Sequence, residues 1–303
     1  MRQRQYLSVI IVSWNSRDYL PTLLHQLREV TSLLPDAEVM VIDNASEDGT
    51  PELVRSEFPW VTLLQSNTNL GYGAAANRAI ETSRGRFVLL LNPDMELRNV
   101  AELPHVLRQA ERTEGFGVFG CTLVYGDGSL QSSGERFPSL ASIAATYLGF
   151  SHLWRRWSRV RSGFYEVDWL SGAFMLVRRA VFEQVGLFSP HFFMYGEDLE
   201  FCARAKRAGW RIGVFGDYVV THFHSRGAQK SLARMLVHSA RGTMRNVAAL
   251  HGGSLSFSRR LLLRFILSMG AILRGLARLP HHPRIAMEFL AAGTQILKGP
   301  EAD

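Results

Sequence analysis

The stretch Arg86-Phe-Val-Leu-Leu-Leu-Asn92-Pro93-Asp94 decides the fold class, because five apolar residues in a row run directly into an Asn, a Pro and an Asp. A strand with one wet face alternates polar and apolar residues. An unbroken apolar run bounded by turn residues instead fits a strand covered on both faces, as in a parallel α/β sheet. Residues 7–13, 38–43 and 61–65 read the same way, which with 86–92 gives four strand candidates. Between them, residues 19–30, 49–57 and 73–82 carry helical patterns. Each strand candidate ends in small or polar residues. Ligands of open α/β sheets bind outside the carboxyl ends of the strands, so the polar residues collect where a nucleotide would sit.

Further on, residues 101–112 read as a helix and 125–164 as a long loop region with a Trp/Arg cluster at 154–157. Order resumes at 167–177, which reads as one strand. Helices follow over 179–185 and 197–208, the second stopped by Gly209. No internal repeat or low-complexity tract interrupts the chain.

At 303 residues and 47% hydrophobic content the chain can bury a substantial core, which excludes a disordered tail. The apolar run at 7–12 is too short for a signal peptide or a membrane span. Cys121 and Cys202 are the only cysteines, so neither a disulfide framework nor a cysteine metal site is expected, and a cytoplasmic location follows. Residues 1–219 hold 22 Lys and Arg against 24 Asp and Glu, whereas 220–303 hold 12 against 3. The basic character therefore belongs to the C-terminal tail, which points to a local phosphate-bearing partner and away from nucleic acid.

Five groups of residues carry chemistry. Asn92 and Asp94 project to the same side of an extended chain and can hold a divalent cation, magnesium or manganese, together with phosphate oxygens; a turn that merely ends a strand is the alternative. Asp43, at the end of a strand, can accept hydrogen bonds from a base or ribose, while Ser46 to Gly49 form a turn and helix cap with Asp48 structural. Glu197 and Asp198 follow Gly196 at a helix start, where a carboxylate can serve as general base or simply suit the positive helix end. His222 and His224 follow a Val-Val strand end, where a neutral imidazole could complete a cation's ligands with Arg226 near a diphosphate; ordinary surface histidines are the alternative. Gly71-Tyr-Gly73-Ala-Ala-Ala76 also fits the loose dinucleotide pattern, although after the third strand and not the first, with Asn69 and Asn77 beside it.

Taken in order, these motifs resemble glycosyltransferase family 2, the GT-A fold enzymes, and within it the rhamnosyltransferase-like members. The resemblance runs from Leu7 to about Gly227 on six segments: Val9 to Ser16, Val41 to Ser46, Asn69 to Gly73, Leu91 to Asp94, Trp169 to Ala173, and Phe193 to Asp198. It implies a mostly parallel, Rossmann-like central sheet flanked by helices, with a helical C-terminal extension. Residues 1–227 would be the catalytic domain, 1–100 binding the nucleotide sugar and 101–227 the acceptor, and 228–303 the basic extension. By the same resemblance Ser13, Asn15, Asp43, Asn44, Asn69, Gly71, Asn77, Asn92 and Arg226 bind the donor. Trp169, Gly172 and Ala173 line the acceptor side, and Asp94 with His222, or His224, binds the metal. Asp198, with Glu197 beside it, is the catalytic base. The implied reaction inverts the sugar's configuration, with dTDP-rhamnose favoured as donor and a saccharide or lipid-linked saccharide of the cell envelope as acceptor. Asn92 stands where the family commonly has its first metal-site carboxylate, and Ser189-Pro190 where it commonly has an acidic residue. The rival readings are a dinucleotide-dependent oxidoreductase and a non-catalytic membrane-associated module of the same fold.

Residues 257–279 place Arg260, Arg264, Arg274 and Arg278 on one helical face and Leu262, Phe265, Met269, Ile272, Leu276 and Leu279 elsewhere. A basic amphipathic helix of this kind can lie in the headgroup plane of an anionic membrane, at the inner face of the cell membrane. A helix packed on the catalytic domain with its arginines in water is the alternative.

Overall fold

A computed structural model describes residues 6–149, 161–223 and 232–298. The first half alternates strands and helices: β1 (Leu7–Ser13), α1 (Leu20–Leu33), β2 (Ala37–Asp43), α2 (Thr50–Glu57), β3 (Thr62–Gln65), α3 (Tyr72–Thr82) and β4 (Phe87–Leu91). The short strand β5 (Met95–Leu97), helix α4 (Leu103–Arg112) and long strand β6 (Phe116–Val124) follow. Then come β7 (Leu130–Gln131), β8 (Gly134–Glu135), α5 (Leu140–Tyr147), β9 (Phe164–Val167), β10 (Trp169–Leu170), β11 (Phe174–Arg178) and α6 (Arg179–Val185). The chain continues through α7 (Glu197–Arg207), β12 (Arg211–His222), α8 (Leu232–Leu250), α9 (Phe257–Arg278) and α10 (Pro283–Lys298).

The main sheet runs β3-β2-β1-β4-β11-β6-β12-β5. Strands β3, β2, β1 and β4 are parallel, β11 is antiparallel to both its neighbours, and β12 returns parallel to β6. The chain steps outward from β1 to β3 and then jumps back to place β4 on the other side of β1. The strand order thus reverses between β1 and β4, and a crevice opens at their carboxyl ends at such a reversal.

The apolar runs of the central strands follow from helices on both faces. Leu7, Val9 and Ile11 of β1 join one core with α1 and α4, while Ile10 and Val12 join a second with α3, α6 and α7. Helix α1 buries Leu20, Leu23, Leu24, Leu27 and Val30 on a single stripe. Each such side chain, fully buried, contributes about 1.5–3 kcal/mol. Ala75, Ala76 and Ala79 of α3 keep that helix close to the sheet.

Two sequence expectations change. The strand expected over 167–177 is three strands: β9 pairs with β12, β10 leaves the main sheet to pair with β8, and β11 enters between β4 and β6. The break falls at Ser171-Gly172, where the chain switches sheets. The loop expected over 125–164 contains β7, β8 and α5, the helix closed by a reciprocal cap between Ser139 and Ser142. The Trp/Arg cluster at 154–157 lies outside the described residues. Strands β5, β6 and most of β12 carry no expectation from sequence, because Gly117, Gly120, Gly213 and Gly216 interrupt the long ones.

The described residues divide into two compact units. The first takes those within 1–136, 160–193 and 201–227; the second takes those within 137–159, 194–200 and 228–303. The second unit thus adds α5 and the first turn of α7 to the C-terminal helices. Its core is formed by Ile143, Val237, Ala240, Val247, Leu263, Leu267, Ala292 and Ile296. Among the described residues no helix is long and apolar enough to cross a membrane.

Candidate active site

In the first unit β1 and β2 end in register, Ser13 opposite Asp43. Both side chains are buried, and among the described residues Ser13 Oγ and Asp43 Oδ1 have no hydrogen-bond partner. The other carboxylate oxygen, Asp43 Oδ2, accepts from the Ser46 amide at 3.0 Å. A buried polar atom left unsatisfied costs about 1–3 kcal/mol, so a hydroxyl and a carboxylate oxygen orphaned together at a strand-order reversal fit a ligand that donates hydrogen bonds, such as a ribose or a base.

The asparagines around this pair are engaged with the protein itself. Asn15, held at φ 52°, accepts from the Glu47 amide through its side chain, and its own amide donates to Ser46 Oγ. Asn44 Nδ2 donates to Asn69 Oδ1 and to the Gly71 carbonyl, while its Oδ1 accepts from the Leu70 amide. Asn69 Oδ1 also accepts from the Gly71 amide. Asn77 pairs both ends of its amide with the Phe188 backbone. These four side chains set the shape of the loops at the strand ends.

The Gly71-Tyr-Gly73 pattern also serves packing. Gly71 sits at φ +81°, and a Cβ there would lie 2.2 Å from the Phe193 carbonyl oxygen. The Tyr72 amide, at the start of α3, donates to that same oxygen. The helix end that would cradle a dinucleotide's phosphates is occupied by backbone.

On the other side of β1, β4 carries Asn92 and Asp94 past its end. The Asn92 amide donates to Ala173 O, continuing the β4–β11 pairing, and Tyr72 Oη donates to Gly172 O. The Trp169 indole donates to Arg136 O on the β10 side. Strand β12 brings His222 opposite Met95, so that His222 Nε2 lies 3.3 Å from Asp94 Oδ1 and 3.2 Å from Asn92 Nδ2. Gln131 Oε1 stands 2.8 Å from His222 Nδ1; in the tautomer with hydrogen on Nδ1, Gln131 accepts it and Nε2 accepts from Asn92 Nδ2. A histidine whose far nitrogen is fixed in this way, beside a carboxylate, is an arrangement that holds a divalent cation. Among the described residues no group of three or more His, Cys, Asp or Glu could hold a metal, so two protein ligands would leave the remaining positions to phosphate oxygens. His224 and Arg226 lie outside the described residues.

Glu197 and Asp198 open α7 and belong to the second unit, whereas Asp43 and Asp94 belong to the first. The turn before them is constrained: Tyr195 sits at φ 69° and Gly196 at 105°. Helix α8 clamps it with two residues one turn apart. Asn246 Nδ2 donates to Gly196 O at 3.0 Å, and a Cβ on Gly242 would meet Tyr195 O at 2.1 Å. The two carboxylates are treated differently. Asp198 is half-buried and accepts from the Leu199 amide at 2.8 Å. Glu197 is buried with Oε2 unpartnered among the described residues, and burial, reinforced by the charge of Asp198, pushes its pKa from 4.5 up to about 8.

This difference makes a stability prediction. The unfolded chain releases the Glu197 proton near pH 4.5 and the folded chain near 8, so rising pH through that window favours the unfolded state. The melting temperature of the wild type is therefore expected to fall between pH 5 and 8 more steeply than that of Glu197→Gln, which stays neutral. Parallel pH profiles for the two proteins would contradict a buried, neutral Glu197.

Sequence reasoning did not find Gln131, Gly242 or Asn246. Gln131 lies in a two-residue strand without a pattern of its own, and the two α8 residues act on a turn about fifty positions earlier in the chain.

Comparison with known proteins identifies the family and the fold. Residues 8–186 match the profile of Glycosyl transferase family 2, and residues 135–283 that of Glycosyl transferase family group 2. The chain is 30% identical, over 82% of its length and 85% of the relative's, to the N-acetylglucosaminyl-diphospho-decaprenol L-rhamnosyltransferase of Mycobacterium tuberculosis. It is 24% identical to the rhamnosyltransferase WbbL of Escherichia coli, over 79% of this chain and 92% of that one. Among solved structures, a mannosyltransferase of Pyrobaculum calidifontis in complex with GDP-Man and Mn2+ superposes with a TM-score of 0.62 at 18% identity, covering 99% of this chain and 89% of the other. TarS of S. aureus, residues 1–349, gives 0.52 at 17% identity over 98% and 93%. These likenesses in structure support the GT-A architecture expected from the motifs. By family profile and by identity to its relatives, the chain belongs to glycosyl transferase family 2, among its rhamnosyltransferase-like members, and is a glycosyltransferase.

Proposed function

We propose that the chain is an inverting, cation-dependent transferase that moves a sugar, rhamnose from dTDP-rhamnose, onto a saccharide or lipid-linked saccharide at the inner face of the cell membrane. The observation that carries this is the orphaned pair Ser13 Oγ and Asp43 Oδ1 at the ends of β1 and β2, in the same compact unit as the Asp94–His222 pair that stands past the end of β4. The relative that acts on N-acetylglucosaminyl-diphospho-decaprenol supports a lipid-linked acceptor, and the neighbour bound to GDP-Man and Mn2+ supports a nucleotide sugar with a divalent ion.

Ser13 and Asp43 hold the nucleoside. Asp94 and His222 would hold the cation, which when bound supplies positive charge against the diphosphate. Arg226 would add a second such charge. Trp169, Gly172 and Ala173 line the acceptor side. Asp198 takes the proton of the acceptor hydroxyl as that oxygen bonds to the anomeric carbon. The bond from the anomeric carbon to the diphosphate oxygen breaks with its electron pair leaving on the nucleoside diphosphate, and attack from the opposite face inverts the configuration.

A thermal-shift titration tests the donor side. dTDP with manganese or magnesium is expected to raise the melting temperature, by about 2.7 kcal/mol of stability at a hundredfold excess over Kd. Asp94→Asn should remove the cation-dependent part and leave the weaker nucleotide effect. Stabilisation by NAD(H) and none by nucleoside diphosphates would replace this function with the oxidoreductase one. Donor binding without turnover on any saccharide acceptor would leave the non-catalytic module.

A further inference from the structure

Leu262, Phe265, Met269, Ile272, Leu276 and Leu279 follow one another along α9 at steps of three and four, the spacing that aligns one helical face. An apolar row of this kind is ordinarily the face that a helix buries. Here it is not. The inward side of α9 is made by Leu263, Ile266, Leu267, Ala271 and Gly275, which pack within the second unit against α5, α8 and α10. Leu262, Phe265 and Leu276 of the aligned row are 51%, 52% and 51% exposed, and Phe257 at the helix start is 82% exposed.

The polar complement of that row is entirely basic. Arg259, Arg260, Arg264, Arg274 and Arg278 lie off it, and α9 contains no acidic residue. Arg274 donates to Thr146 O and lies over the Tyr147 ring, and Arg278 lies over the Phe289 ring, so both are braced away from the apolar row. Across residues 232–298 there are ten Lys and Arg and a single acidic residue, Glu288.

We propose that the outward row of α9 is a seat for an anionic lipid bilayer, the leucines and Phe265 entering the acyl boundary while the exposed Arg259 and Arg260 meet the headgroup phosphates. A second copy of the chain would bring the same positive charge against itself; a bilayer of anionic lipids brings the opposite one. The helix lies on the bilayer and does not span it, since five arginines interrupt its 22 residues. The surface extends the proposed membrane-borne acceptor but is tested without donor or acceptor, so failure of glycosyl transfer and failure of lipid binding are read separately.

The full-length chain is sedimented at low salt with vesicles of phosphatidylglycerol and phosphatidylcholine, and with phosphatidylcholine alone. Strong binding is expected on the anionic vesicles and weak binding on the neutral ones. The double variant Phe265→Glu and Leu276→Glu is expected to reduce partitioning at least about tenfold on anionic vesicles with its melting temperature unchanged, because both side chains are half-exposed. Arg259→Ala with Arg260→Ala should weaken binding on anionic vesicles only, by an amount that shrinks as salt is added. Wild-type protein that stays in the supernatant with anionic vesicles would overturn the proposal. So would binding that survives the glutamate pair, or a dimer in sedimentation equilibrium that the glutamate pair dissolves while vesicles remain unbound.

Discussion

Asp198→Asn is expected to lower turnover by about 10²–10⁴-fold while leaving donor affinity within about twofold. Asn keeps the size of the side chain and can still accept from the Leu199 amide, so the first turn of α7 retains the bond that Asp198 makes there. What it lacks is a basic oxygen for the acceptor's proton. Ser13 and Asp43, the proposed nucleoside partners, lie on strands of the other compact unit, and the substitution does not alter them. Steady-state turnover and donor titration on the same preparation separate the two effects. A variant that keeps turnover within about tenfold would remove Asp198 from the role of base and leave its buried neighbour Glu197 as the next carboxylate to test.

Gly71→Ala should destabilise the protein by about 2–4 kcal/mol and depress turnover further than stability alone explains. Two costs combine. The backbone at φ +81° and ψ 171° lies in a region essentially reserved to glycine, which a side chain enters only at roughly 1–3 kcal/mol, and the new Cβ would meet the Phe193 carbonyl oxygen, its carbon and its Cα within 2.9 Å. All three are backbone atoms, so no side-chain rotation relieves the overlap. Phe193 leads directly into Met194-Tyr195-Gly196-Glu197, so a displaced backbone there disturbs the turn that carries the carboxylates. Denaturant midpoints report the first cost, and turnover measured well below the melting temperature reports the second. A variant as stable and active as the wild type would show that this loop yields easily and that Gly71 holds nothing in place.

The half of the sheet from β3 to β4 was legible because burial on both faces writes itself as an unbroken apolar run, and because each run ends in residues that cannot continue it. The other half was not. Strand β6 contains Gly117 and Gly120, which break any apolar count, yet both are required by neighbours: a Cβ at Gly117 would strike Trp210 and Val181, and one at Gly120 would strike Leu170. The reason for those glycines lies in partners distant along the chain, and no local pattern records it. Within the candidate site, Asp43 and Asp94 announce themselves as carboxylates at the ends of apolar strands. Asn44 and Asn77 illustrate the limit: an asparagine beside a ligand loop looks the same in sequence whether its amide meets a sugar or a backbone carbonyl, and both of these meet backbone. Gln131 had no signal at all, since its contact with His222 exists only once β7 folds back on β6.

The mutual bonding of Asn15, Asn44, Asn69 and Asn77 with the surrounding chain has a thermodynamic corollary. Fixing a loop residue costs roughly 1–2 kcal/mol in conformational entropy. In this enzyme that loss is incurred once, during folding, by segments already locked before any nucleotide arrives. Under the proposed function a nucleotide sugar therefore meets loops already ordered, and the free energy of its binding is not reduced at each cycle by the entropy of ordering them.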